Sequence, residues 1–120
     1  LCGLKTPEEF FGYKPGSDRE LVRWEKVVGY FRHLAENSDR IRVEDRGEST
    51  MGNPMILAYI SSEENLARLG ELRDESWAIS HPRDLPGEEA ERIIAEGRAV
   101  VGLKMSIHAS EVGGARRVEA

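Results

Sequence analysis

The segment Met55-Ile56-Leu57-Ala58-Tyr59-Ile60 is apolar throughout, as expected of a strand covered on both faces inside an α/β sheet. The stretch before it, residues 39–46, alternates instead. Ile41 and Val43 fall on one side and Arg42 and Glu44 on the other, which suits a strand with one wet face. Between them Gly47-Glu48-Ser49-Thr50-Met51-Gly52-Asn53-Pro54 is a turn-rich connection, so the two strands are expected to form a hairpin.

Helical spacing surrounds this pair. Leu21, Trp24, Val28, Phe31 and Ala35 recur at steps of three and four and predict a helix with one apolar face, running to about Asn37. Ser17-Asp18-Arg19-Glu20 has the capping-box spacing that would start it. Ser61-Ser62-Glu63-Glu64 has the same spacing, and Leu66, Leu69 and Leu72 would line the inner face of the helix that follows. The segment Ser80-His81-Pro82 breaks that pattern, because proline disfavours helix at the residue before it. A further helix over residues 87–96 should bury Ala90, Ile93 and Ile94, with Gly97 as its left-handed cap. Residues 98–107 read as the next strand. Residues 1–16 mix Pro7, Gly12, Pro15 and Gly16 with Phe10, Phe11 and Tyr13 and read as an irregular arm pinned by its aromatics. The order of elements points to an α/β layered sheet rather than a bundle or sandwich.

At 120 residues the chain is sized for one domain or part of one. The balance of 22 acidic against 17 basic residues, without a basic run interleaved with aromatics, argues against nucleic acid as a partner. No apolar segment approaches the ~20 residues a bilayer-spanning helix needs, so a soluble chain is expected. A single cysteine, Cys2, makes no internal disulfide and leaves the redox compartment open. The chain opens on Leu1 rather than methionine, and Arg116-Arg117-Val118-Glu119-Ala120 reads as the first turns of a helix. A sequence trimmed at its N-terminus and truncated at its C-terminus is the expectation.

Chemistry concentrates after the last apolar run. Val100 to Ile107 delivers His108, with Glu111 three residues on and Gly113-Gly114 just beyond. An imidazole nitrogen and a carboxylate oxygen at this spacing can converge on one ion at the ~2.0–2.2 Å that zinc prefers. In open α/β sheets ligands collect beyond the carboxyl ends of strands, and the glycines would let a substrate backbone approach. The plain reading stays beside it: a strand-end loop with two solvated polar residues. The other histidines, His33 and His81, read as ordinary surface residues, His33 placed to complement the negative end of its helix. Spacing nominates no third ligand, general base or carboxylate-binding arginine.

Four stretches together carry a resemblance. Thr6-Pro7-Glu8-Glu9-Phe10-Phe11-Gly12, Gly47-Glu48-Ser49-Thr50-Met51-Gly52-Asn53-Pro54-Met55, Ser61-Ser62-Glu63-Glu64-Asn65-Leu66 and Ser106-Ile107-His108-Ala109-Ser110-Glu111-Val112-Gly113-Gly114 resemble the start of a zinc carboxypeptidase. The family is the carboxypeptidase A-like metallopeptidases, particularly their bacterial and archaeal branch. The likeness runs over nearly the whole chain and covers about the first third of such a catalytic domain. It implies part of a mixed α/β/α layered sheet, Zn2+ as cofactor, His108 and Glu111 as metal ligands, and the C-terminus of a peptide as substrate. In this family a water on the zinc attacks the last peptide carbonyl with a glutamate's help, while arginines hold the terminal carboxylate. Those groups and the third ligand come later in the family's sequence. Ser110 departs from the arginine that digestive members carry between the two ligands. Export is typical of the resembled branch.

Three functions follow as alternatives: the N-terminal portion of a metallocarboxypeptidase, inactive by itself; a zinc-dependent amide hydrolase or deacylase of the same fold; or an interaction module whose His-x-x-Glu is inert. An unpaired apolar strand edge in a partial sheet would also template self-association.

Overall fold

The computed structural model describes residues 3–105. Helices α1 (Pro7–Phe11) and α2 (Trp24–Asn37) precede strands β1 (Ile41–Glu48) and β2 (Pro54–Ile60). Helices α3 (Glu63–Ala67), α4 (Leu69–Ser80) and α5 (Gly87–Glu96) follow, with a 3-10 turn at Pro82–Asp84 before α5. Helix and strand are therefore mixed, as an α/β class requires.

The hairpin forms as the sequence predicts. β1 and β2 pair antiparallel with Ile41 opposite Ile60, Val43 opposite Ala58 and Glu44 opposite Leu57, and a bulge interrupts the ladder between Asp45 and Glu48. Gly47 and Gly52 take φ of 92° and 74°, values a side chain disfavours, so the bulge and the turn both need glycine. The turn closes when Ser49 N–H donates to the Asn53 carbonyl at 2.8 Å and Gly52 N–H to the Ser49 carbonyl at 2.9 Å.

Burial of β2 on both faces does not follow. Ile56 and Ala58 lie half-buried on the face toward α2, but Met55 and Leu57 on the opposite face are 45% and 37% exposed. Among the described residues the sheet has two strands, and a hairpin with a helix on one side has only one covered face.

α2 starts later than its expected capping box. Ser17 Oγ donates to the Lys14 carbonyl at 2.7 Å, so the hydroxyl is engaged in a turn, and Arg19 adopts a left-handed φ of 64°. The helix begins at Trp24, with no side-chain cap. Its buried face is Val27, Val28 and Tyr30, while Leu21 lies outside the helix and exposed. The width of that buried face follows from α2 being packed on two sides. The hairpin takes one, fastened at the rim by Arg32 to Asp45 at 2.7 Å, a bridge too solvated to be worth more than about 1 kcal/mol. The arm takes the other.

That arm is not irregular throughout. Thr6 caps α1 in a complete box, with Glu9 N–H donating to Thr6 Oγ1 and the Glu9 carboxylate accepting from Thr6 N–H at 2.8 Å. The helix places Phe10 and Phe11 against Tyr30, with ring centroids 5.2 and 5.3 Å away, and Lys26 stands over the Tyr13 ring. The expectation that the aromatics pin the arm holds. Phe11, Val27, Val28, Tyr30 and Ile41 make the main core.

α3 is capped by Ser62 rather than Ser61: Ser62 Oγ accepts from Asn65 N–H, and Ser61 Oγ accepts from the Asn65 side chain at 2.9 Å. α5 has the expected bounds, but Ile94 is 74% exposed and only Ile93 is buried. Gly97 is extended (φ −63°, ψ 168°), not left-handed.

Candidate functional site

The approach to His108 and Glu111 is described up to Met105; the two residues themselves, and the predicted turn and helix after them, lie outside the described residues. Residues 98–105 of the expected strand carry no strand pairing, and Val100, Val101 and Leu103 are each about three-quarters exposed. An apolar run becomes a strand only where a neighbour takes its backbone groups. Among the described residues nothing pairs with this one.

The remaining histidines are accounted for by local bonding. His33 is half-buried rather than a plain surface residue. Its Nε2 accepts from Lys5 N–H at 3.1 Å, its Nδ1 lies 3.2 Å from the Asn37 amide, and its ring packs on Phe10 and Tyr30. With both nitrogens engaged it ties the arm to α2, and it is not placed to hold a metal. His81 is exposed, as expected, and sits at the end of α4. Its ring stacks on Trp77 with centroids 3.8 Å apart, and Nδ1 lies 3.0 Å from the Trp77 carbonyl, which makes that nitrogen the protonated one. Among the described residues no three His, Cys, Asp or Glu side chains converge as a metal site.

Charge gathers elsewhere. Arg92 on α5 contacts Glu89 at 2.8 Å, Glu75 at 3.3 Å and Glu96 at 3.3 Å, and Arg68 adds contacts to Glu71 and Glu75. The Glu89 bond holds the guanidinium well above its ordinary pKa, helped by Glu75, and Glu89 is held below its own mainly by that bond. This lattice fastens α4 to α5. A recess of about 210 Å3 beside it, lined by Leu72, Ile79, Ile93 and Gly97, is smaller than an ordinary ligand pocket.

Comparison with protein-family models, curated proteins and solved structures finds no match for the chain. Among the described residues no helix is long and apolar enough to cross a membrane.

Proposed function

We propose that the chain is the N-terminal portion of a zinc-dependent carboxypeptidase-like catalytic domain of the α/β/α layered type, to which it brings two metal ligands, His108 and Glu111. One observation carries this: a His-x-x-Glu pair set directly after an apolar run and directly before Gly113-Gly114. The hairpin whose turn ends at Pro54 supports it, being the element the resemblance puts ahead of such a pair.

The donor set fits zinc, for which a neutral imidazole nitrogen and a carboxylate oxygen are ordinary ligands. When bound, zinc supplies Lewis acidity that polarises a scissile carbonyl and makes water more acidic. His108 must be deprotonated to bind, so metal and proton compete for its nitrogen and acidification weakens binding. Glu111 contributes the negative charge that a lone histidine lacks. Gly113 and Gly114 carry no side chain to obstruct an extended substrate. The third ligand, the general base and the arginines for the substrate carboxylate have no counterpart in these residues, so the 120-residue chain alone should show no peptidase activity.

Zinc content of the longest natural form of the protein, with and without His108→Ala and Glu111→Ala, tests the ligand pair. Loss of metal from both variants, with circular dichroism unchanged, is the expected result; undiminished zinc in either sinks the assignment. Because Ser110 stands where digestive members carry arginine, the same preparation should be assayed on peptides with free C-termini and on N-acyl amino acids. Cleavage of the latter alone would move the reaction to deacylation.

A further inference from the structure

The two edges of the hairpin differ in kind. Along β1, Arg42, Glu44, Asp45 and Arg46 set charges of both signs, the pattern by which an edge strand resists pairing. Along β2 no residue from 54 to 60 is charged, and Pro54 stands at the first position, where it interrupts no ladder. No other strand covers the β2 edge among the described residues, and Met55 and Leu57 remain exposed beside it.

The register fixes which backbone groups are on offer. Ser61 N–H donates to the Arg40 carbonyl at 3.1 Å, so alternation along an antiparallel ladder makes Arg42–Tyr59 and Glu44–Leu57 the hydrogen-bonded pairs. Ile56, Ala58 and Ile60 therefore turn their N–H and C=O groups outward. The Pro54 carbonyl on the same side is already taken by the Trp24 indole.

We infer that β2 is a self-association edge: two copies of this chain pair β2 with β2 antiparallel about a two-fold axis at Leu57, forming one continuous sheet. β2 is its own complement in that register. Leu57 meets Leu57, Met55 meets Tyr59, and the outward backbone of Ile56 bonds that of Ala58, where the small alanine side chain leaves room for isoleucine. No charge faces a like charge. The same operation about either middle residue of β1 would set Glu44 against Glu44 or Asp45 against Asp45, each destabilising. An isologous contact of this kind closes on itself and stops at the dimer. It needs no metal at His108, so loss of zinc and loss of the dimer are read separately; it concerns the 120-residue chain, in which no further strand covers the β2 edge among the described residues.

Light-scattering mass of the 120-residue chain over a dilution series tests it. The expected species is a dimer that dissociates on dilution. Leu57→Lys and Leu57→Glu should each weaken it by about tenfold or more, because like charges then meet at the axis. Mixing the two variants should restore the dimer, since opposite charges face each other, and Glu48→Lys on β1 should leave it unchanged. Far-ultraviolet circular dichroism checks that each variant keeps its fold. A wild-type monomer at every concentration overturns the inference. So does a dimer that survives Leu57→Lys, a mixture that stays monomeric, or a dimer lost on Val101→Lys but not on Leu57→Lys.

Discussion

The Trp24 indole reaches the hairpin: its Nε1 donates to the Pro54 carbonyl at 2.7 Å, joining the first residue of α2 to the first residue of β2. α2 has no side-chain cap, so this clamp stands at the helix start in place of one. Trp24→Phe keeps an aromatic ring and removes the donor. The expected loss is about 1 kcal/mol, the usual net worth of one such bond, read as a lower urea midpoint at unchanged m-value. No change in midpoint would mean that solvent replaces the indole fully.

The capping box of α1 carries an acid dependence. Glu9 is held below the ordinary glutamate pKa, first by the Thr6 backbone N–H, then by the Thr6 hydroxyl, with Lys5 adding a weaker attraction. A depressed carboxylate contributes its stabilisation above the unfolded-state value of about 4.3 and loses it as pH falls through the folded one. The arm should therefore loosen on acidification below that range, seen as fading near-ultraviolet dichroism from the Phe10, Phe11 and Tyr30 cluster. Thr6→Ala should weaken the signal at neutral pH and flatten this acid step. An unaltered step in that variant would assign it to another carboxylate.

Where local chemistry decides, the sequence is a good guide; where a neighbour decides, it is not. The bounds of α5 and the β1–β2 hairpin follow from helical spacing, alternation and turn residues. Three stretches share the capping-box spacing, Thr6 to Glu9, Ser17 to Glu20 and Ser61 to Glu64, and only the first forms a complete box. Pro7 at the first helical position was the available signal in its favour. The Ser17 hydroxyl bonds Lys14 instead, a competition that spacing does not reveal. Likewise, apolar composition alone cannot report whether Met55, Leu57 or Val100 to Leu103 has anything packed on it. His108 and Glu111 are legible only as a pattern, because their partners for metal binding are not specified by spacing.

Ile93 and Ile94 separate burial from composition. The spacing predicts both inside, yet Ile93 is 6% exposed and Ile94 74%. Ile93→Ala removes methyl groups packed between α4 and α5 and should cost about 2 kcal/mol, at the low end for a core isoleucine because the adjoining recess is already open. Ile94→Ala should be near neutral. Thermal unfolding of the pair provides the check, and equal losses would mean that Ile94 is covered in solution.

Gly97 ends α5 by donating its N–H to the Ile93 carbonyl at 2.7 Å while its own backbone is extended. A Cβ added there would collide with that same carbonyl oxygen. Glycine is thus required by a close approach and not by a left-handed φ, and the two causes predict different mutants. A left-handed cap tolerates asparagine better than alanine. A steric requirement penalises both, because both carry the Cβ, and forcing it in should cost about 1–3 kcal/mol as overpacking does. Gly97→Ala and Gly97→Asn should therefore lower the melting temperature by similar amounts. An asparagine variant close to wild type would restore the left-handed cap and displace the geometry at Ile93.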